Sequence, residues 1–179
     1  MWSKTGLNTD IMASTEAIGT TRPVFLFVTP SPLFPAHWGL AIPDIDESTW
    51  VKVIHATGSV AEGFEHAFKR DYNTELSTTR YKKVFLGDVA QEHIVYKKDP
   101  SCPEEPRIDT APVDRMEEIA LAVPAPAASL NTVKDTSKPG TRVLVKNCQT
   151  WMREYVQALI AAGVSKQDAL DILDKAPKN

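Results

Sequence analysis

Short apolar runs separated by polar turns dominate the first half of the chain. The run PVFLFVT at 23–29 is continuous and bounded by proline, a pattern typical of a buried strand. The runs AHWGLAIP at 36–43 and TWVKVIHAT at 49–57 are joined by a short polar loop, which predicts an antiparallel hairpin. A fourth run, RYKKVFLGDVA at 80–90, predicts another strand.

Four further segments have weaker patterns. Residues 58–73 fit an irregular strand or a short helix, and residues 92–98 fit one more strand. Residues 99–112 contain four of the thirteen prolines and are predicted to be a loop. A second loop is predicted at 124–141, where proline, serine and threonine recur. Both loops could border a pocket, although composition alone identifies neither as a lid.

Apolar residues at helical spacing mark the second half of the chain. In 113–123 they are Met116, Ile119, Ala120 and Val123, and acidic residues lie near the start, where the helix dipole favours them. Strands that mostly precede helices predict an α+β domain in which an antiparallel β-sheet packs against the helices.

The segment TRVLVKNCQTWMREYVQALIAAG joins a strand pattern to a helical one. It predicts a strand at 142–146 and a helix from Cys148 to about Ala162, which Gly163 ends. The residues SKQD that follow fit a capping box with Ser165 as the N-cap, which would open a last helix.

The length of 179 residues suits one domain with a substantial core. We expect a flexible leader at 1–22, the domain at 23–163, and a C-terminal helix at 164–179 docked on that domain. The leader lacks the apolar core of a signal peptide, and no window approaches the ~20 apolar residues of a membrane span. These features predict a cytoplasmic protein with no integral membrane segment and with reduced thiols.

Charge and motif content narrow the classes of function. The formal net charge is -3 and the basic residues are scattered along the chain, so we expect no nucleic-acid partner. The sequence has no CxxC, no HExxH, no dense carboxylate cluster and no glycine motif with the spacing of a nucleotide site. We therefore expect neither a metal nor a cofactor.

The chain has two cysteines, and Cys148 lies at the predicted junction of strand and helix. Cys102 lies in the proline-rich loop, so a structural disulfide between the two is not expected. Asn147 is a favourable N-cap, which puts Cys148 in the first turn, where free backbone N–H groups lower a thiol pKa and can form an oxyanion hole. A buried cysteine can equally be an inert apolar residue.

A nucleophilic thiol needs a base, and histidine is the usual one. His37 and His55 lie on the two strands of the predicted hairpin and can approach each other if their side chains share a face. His66 and His93 have no comparable setting, and we expect them to lie at the surface or in loops.

Three segments in order, HWGLAIP with VKVIHATG, KKVFLGDVA, and VLVKNCQTWMREYV, resemble the permuted papain-like enzymes of the NlpC/P60 superfamily. Within it, the lecithin:retinol acyltransferase-like or H-Rev107-type branch is the most similar. The resemblance spans about residues 23 to 160. It departs from that branch in a longer loop containing DIDEST, in Gln149 and Thr150 where Glu-His is common, and in a polar helix at 165–175 where membrane-bound members have an apolar anchor.

The resemblance implies a circularly permuted papain-like architecture and a role for each site residue. It implies that Cys148 is the nucleophile, that His37 is its base, and that His55 orients the base. The substrate or oxyanion site is expected to include Trp38, Asn147 and Gln149.

The expected function is cysteine-dependent acyl transfer through an acyl-enzyme, with a small-molecule, lipid or peptide acyl substrate. One alternative is a cysteine peptidase or isopeptidase that uses the same residues, because the PPPDE isopeptidases share an early histidine and a similar helix start. Another alternative is a non-catalytic binding protein of the same fold. The sequence leaves the oligomeric state open.

Overall fold

The computed structural model describes residues 20–101, 105–128 and 145–179. Within them the strands are β1 (Thr21–Thr29), β2 (His37–Pro43), β3 (Trp50–Ser59), β4 (Gly63–Asn73), β5 (Lys82–Ala90) and β6 (Arg107–Asp109). They form a six-stranded sheet in the order β5-β1-β2-β3-β4-β6, with every neighbouring pair antiparallel. The antiparallel sheet and the β2–β3 hairpin predicted from the sequence are confirmed.

The helices of the described residues are α1 (Arg115–Ala122), α2 (Cys148–Ala161) and α3 (Asp168–Lys175), and a 3-10 turn spans Gln91–His93. Buried side chains of these three helices join those of β1 to β5 in one apolar core. The expected α+β class is therefore confirmed, with the sheet packed against helices. Among the described residues, no helix combines the length and the apolar character needed to cross a membrane.

The central strand β2 is buried on both of its faces. Trp38, Leu40 and Ile42 point into the helix-covered core, following the two-residue period of a strand. The alternate residues point to the other face, where Ala41 packs in a smaller apolar cluster with Phe27, Val51 and Val53. The sheet face that carries His37 is thus the face opposite the helices.

A buried network of charged side chains attaches α1 to the sheet. Glu117 is fully buried and accepts hydrogen bonds from Lys52 at 3.1 Å and, with both of its oxygens, from Arg70 at 2.8 Å. Asp114, the N-cap of α1, also pairs with Lys52. Burial of so many charges is tolerated because each one has partners of opposite sign.

Two predicted segments differ in the structure, and tertiary contacts explain why. Residues 92–98 do not form a strand, because the Val95 and Lys98 N–H groups donate to the carboxylates of Asp114 and Asp44 rather than to a neighbouring strand. The predicted loop 99–112 contains β6, which pairs with the edge of β4. The ambiguous segment 58–73 contains all of β4 and the last two residues of β3.

An ion pair explains the position of β6. The Arg70 guanidinium of β4 bonds Asp109 of β6 at 2.6 Å, which joins two strands that are far apart in the sequence. No local pattern in the chain could have indicated this pairing.

The capping box predicted at Ser165 is wrong. The helix α2 ends in a Schellman motif, in which Gly163 has φ +72° and the Val164 N–H donates to the Leu159 carbonyl at 2.9 Å. The Ser165 N–H donates to the same carbonyl at 3.2 Å, so Ser165 lies in the turn that follows α2 rather than at the start of the next helix. The next helix begins later, with Gln167 as an N-cap that makes no side-chain capping bond.

Several predictions fall on residues outside the described ranges. They concern residues 1–19 of the leader, Cys102, residues 129–141 of the second loop and residues 142–144 of the predicted strand. The last two residues of that strand, Val145 and Lys146, are described and are not part of a strand.

Replacing Glu117 by Gln should lower the free energy of unfolding by about 3 kcal/mol, because it leaves Lys52 and Arg70 as under-compensated buried cations. Chemical denaturation measures the change. The matched control is Glu118→Gln, which removes an exposed ion pair with Arg115 and should cost no more than about 0.5 kcal/mol. Equal effects of the two substitutions would contradict this account of the network.

Candidate functional site

The first turn of α2 is fixed by a capping box. The side chain of Asn147 accepts hydrogen bonds from the backbone N–H groups of Gln149 and Thr150, and the Thr150 side chain accepts from the Asn147 N–H. The predicted N-cap role of Asn147 is confirmed, and Cys148 is the first residue of the helix. The Asn147 side chain is therefore engaged in capping.

The Cys148 thiol is buried, with 6% of the residue exposed. Its sulfur lies 3.9 Å from the carbonyl oxygen of Ala36, towards which the S–H group donates. The backbone N–H groups of Trp38, Gln149 and Cys148 itself lie near the sulfur and favour the thiolate. Burial is the larger effect and raises the pKa of the thiol, so the expected lowering of this pKa by the helix N-terminus is wrong.

His37 and His55 form a hydrogen-bonded pair on the sheet face opposite the helices. Nε2 of His37 lies 2.8 Å from Nδ1 of His55, and the rings meet edge to face with centroids 5.1 Å apart. Leu40 pairs with Ile54, so extending the antiparallel register places His55 opposite Gly39 and diagonal to His37. The approach predicted from the hairpin is therefore present.

Gly39 packs closely against the neighbouring strand β3 beside this pair. A Cβ atom at Gly39 would lie 2.7 Å from the Cγ1 atom of Val53 and 3.6 Å from the Cβ atom of His55. A side chain at this position would therefore disturb the strand neighbours of His55.

Both imidazoles are shielded from water, which disfavours their charged forms. Burial, then the nearby His37 and Lys69, lowers the pKa of His55 to about 3. Burial and Lys69 also lower the pKa of His37. At neutral pH the pair therefore shares no net charge, and one ring donates an N–H group to the other.

One cavity brings His37 and Cys148 together. It has a volume of about 470 Å³, and its walls include Phe34, Val60 and Phe64. The structure thus places the predicted nucleophile and the predicted base on one surface, with His55 directly behind the base. Within the part of the chain that the structure describes, no hydrogen bond joins the Cys148 sulfur to an imidazole nitrogen.

The side chains of Trp38 and Gln149 support the site through hydrogen bonds to neighbouring main-chain carbonyls. The Trp38 ring is buried in the core, and its Nε1–H donates to the Pro177 carbonyl at 3.0 Å. The Gln149 amide donates to the carbonyls of Ala36 and Lys178, both at 2.8 Å. The groups near the sulfur are the backbone N–H groups of these residues rather than their side chains.

Sequence reasoning missed the part played by the C-terminal tail. The Lys178 carbonyl accepts from the Ala36 N–H at 2.8 Å as well as from Gln149, so the tail holds the residue that contacts the thiol. The cation of Lys178 also lies 4.4 Å from the centre of the Trp38 ring. The only sequence signal for this contact is Pro177, which ends the last helix without indicating where the chain goes next.

The prediction for His66 is wrong. It lies in β4, is half-buried, and bonds the Val123 carbonyl through Nε2 at 2.8 Å next to the Trp151 ring. It therefore anchors the end of α1 to the sheet. His93 lies in the 3-10 turn, in agreement with a loop position.

The described residues contain no group of three or more His, Cys, Asp or Glu side chains able to hold a metal ion.

Fold and site together define an α+β protein in which a cysteine and one histidine of a hydrogen-bonded pair line the same cavity. The chain matches a family model described as a family of unknown function (DUF6540) over residues 24–166, and it therefore belongs to that family. No curated protein and no solved structure matches the chain.

Replacing Gly39 by Ala should lower the free energy of unfolding by about 1–3 kcal/mol, because the new methyl group overlaps the side chain of Val53. Thermal or chemical denaturation measures this loss. The double variant with Val53→Ala should lose less than the sum of the two single variants, since the overlap is then removed. Simple additivity would contradict the proposed contact.

Alkylation of Cys148 by iodoacetamide should be slow at neutral pH and should rise about tenfold for each pH unit up to pH ~9. The reason is that the reactive thiolate forms only near a pKa raised above the ordinary value of 9.0. Peptide mapping by mass spectrometry separates Cys148 from Cys102, and the denatured protein is the control. A plateau of the rate below pH ~8 would show a lowered pKa instead.

Proposed function

We propose that this protein is a cysteine-dependent acyl-transfer enzyme with a circularly permuted papain-like architecture, of the lecithin:retinol acyltransferase-like kind. The observation that carries the proposal is that His37 lines the cavity of Cys148 while its Nε2 is bound to His55. The order in the chain, a histidine on each of two paired strands and then a cysteine that opens a helix, agrees with the resemblance found in the sequence.

The hydrogen bond between the histidines leaves Nδ1 of His37 as the atom that can serve the thiol. Among the described residues, Nδ1 makes no hydrogen bond. To accept a proton there, His37 must carry its own proton on Nε2 and donate it to Nδ1 of His55. Because the pKa of His55 is about 3, His55 stays neutral and keeps accepting this bond when His37 becomes an imidazolium.

The proposed reaction begins with a neutral thiol and a neutral base. The Cys148 S–H group turns from the Ala36 carbonyl towards His37 and gives its proton to Nδ1 as the sulfur attacks the acyl carbon. The leaving group takes that proton from His37, and a thioester to Cys148 remains. Water, an alcohol or an amine then gives a proton to His37 and displaces the sulfur, which takes the proton back.

In the proposed reaction, backbone N–H groups form the oxyanion hole that stabilises the negative charge of the tetrahedral intermediate. The N–H groups of Cys148 and Trp38 lie near the sulfur, and the N-terminus of α2 adds its positive potential. The side chains of Trp38 and Gln149 have the supporting role of holding the chain in this position.

The cavity favours an apolar acyl group. Aromatic and aliphatic side chains, including Phe34, Val60, Phe64 and Val145, form much of its wall. Phe34 and Val145 are exposed at its mouth, with 70% and 46% of each residue accessible. A lipid or fatty acyl donor fits this surface better than a polar peptide does.

Two observations favour a second candidate, a non-catalytic binding protein that uses the same cavity. Burial raises the pKa of Cys148, and no hydrogen bond joins its sulfur to His37 among the described residues. Catalytic hydrogen bonds are often formed only with substrate bound, so the geometry of the free protein does not exclude the enzyme. The two candidates differ in whether a covalent adduct forms.

Incubation with a panel of acyl thioesters, phospholipids and peptides should give an acyl adduct on the intact protein, detected by mass spectrometry. Cys148→Ala should abolish the adduct, and His37→Ala should slow its formation by about 10²–10⁴-fold, because the thiol loses its base. Cys102→Ala is the matched control and should react as the wild type does.

Each other outcome has a defined meaning. A ligand retained without a covalent adduct would support the binding protein and contradict acyl transfer. Consumption of peptides alone would favour the peptidase. A wild-type rate in Cys148→Ala would rule out both enzymes.

A further inference from the structure

A second cavity lies behind the histidine pair, on the sheet face opposite the helices. It has a volume of about 160 Å³, and its polar lining includes His55, Lys69, Tyr72, Thr79 and Tyr81. We call it the Lys69 pocket. It shares Thr29 and His37 with the cavity that contains Cys148, so His37 borders both.

Two hydrogen-bonding groups of the Lys69 pocket lack partners within the described chain. Nε2 of His55 is buried and makes no hydrogen bond. Lys69 is half-buried, has no carboxylate within ion-pair distance, and contacts the Tyr72 ring at 4.8 Å from its centre. An unsatisfied buried nitrogen is rare in folded proteins, and one that lines a cavity beside a cation without a carboxylate partner points to a missing ligand.

Lys69 differs in this respect from the buried lysine on the other face of the sheet. Lys52 is bonded to both Asp114 and Glu117, which compensate its charge. Lys69 has no such compensation, and burial lowers its pKa. A half-buried ammonium is stabilised by an anion, so the sign of the missing ligand follows from the charge that it would face.

We propose that the Lys69 pocket is an anion subsite that binds a carboxylate or phosphate group of the substrate beside the histidine pair. The oxygens of such a group accept from the Lys69 ammonium and from Nε2–H of His55. The placement of the His55 proton on Nε2 rests on the proposed function. It follows because His37, as the base of Cys148, donates its own Nε2–H to Nδ1 of His55. The substrate class is thereby narrowed to an apolar acyl compound whose donor or acceptor carries an anionic group.

Histidine side-chain NMR tests the subsite directly, with acetate and inorganic phosphate as probes at constant ionic strength. Either probe should shift the His55 resonances in a saturable manner and should raise the pKa of His55. The His66 resonances should stay fixed and serve as the reference for folding, since His66 bonds the Val123 carbonyl elsewhere in the fold. A response to only one probe identifies the group as carboxylate or phosphate.

Lys69→Gln should weaken the binding of the probe about tenfold through loss of a charge-assisted hydrogen bond. The matched control is Lys83→Gln, because Lys83 also lies over an aromatic ring, that of Phe25 at 4.0 Å, but does not line the pocket. Lys69→Arg keeps the charge and should keep most of the affinity.

The proposal is overturned if neither probe gives a saturable shift at His55 up to about 100 mM. It is also overturned if Lys69→Gln binds as the wild type does, or if Lys83→Gln loses as much affinity. If the His66 resonances show that Lys69→Gln does not fold, the resonance shifts that the probes cause in the wild-type protein test the proposal instead. Shifts confined to residues outside the pocket then reject it. Cys148→Ala should still bind the anion, so failure of the subsite and failure of acyl transfer are separately visible.

Discussion

The register between β2 and β3, with both faces of β2 buried, is the constraint on which the site depends. Trp38, Leu40 and Ile42 must enter the helix-covered core, so His37 and Gly39 must point the other way. A slip of one residue would exchange the two sets and bury imidazole among apolar side chains. The same register places His55 opposite Gly39 and diagonal to His37, which brings the two rings within hydrogen-bond distance.

Desolvation then determines the chemistry that the arrangement can perform. It raises the pKa of Cys148 and lowers the pKa of both histidines, so each group is driven to its neutral form. A preformed thiolate–imidazolium pair is therefore disfavoured in the free protein, so in the proposed reaction the proton would move during attack. The peptide N–H groups at the start of α2 reduce this penalty without removing it.

Local pattern was sufficient for the β2–β3 hairpin, for α2 and for the proximity of His37 and His55. The alternation in β2 and β3 predicted the histidine pair, and the preference of Asn for the N-cap predicted the position of Cys148. It was insufficient where the partner is distant in the chain. The backbone of 92–98 is satisfied by side-chain carboxylates and β6 by an ion pair, neither of which leaves a periodic signal.

The sequence-based prediction that the pKa of Cys148 is lowered was wrong for a related reason. The position of Cys148 at a helix N-terminus can be predicted from the sequence. The burial that raises its pKa depends instead on contacts of β2, α2 and the C-terminal tail around Ala36. The contact made by the C-terminal tail leaves no pattern in the sequence, because the main-chain carbonyls of Pro177 and Lys178 provide it. Any residue type could offer the same atoms.

Lys69 connects the two cavities through electrostatics. Its charge is among the causes that lower the pKa of both His37 and His55. An anion bound at Lys69 would offset that charge, so the proton affinity of His37 would rise when the pocket is filled. The base would then be weakest in the empty protein and stronger beside a bound anionic group. Occupancy of the Lys69 pocket would thus favour the proposed proton transfer from Cys148 to His37 in the other cavity.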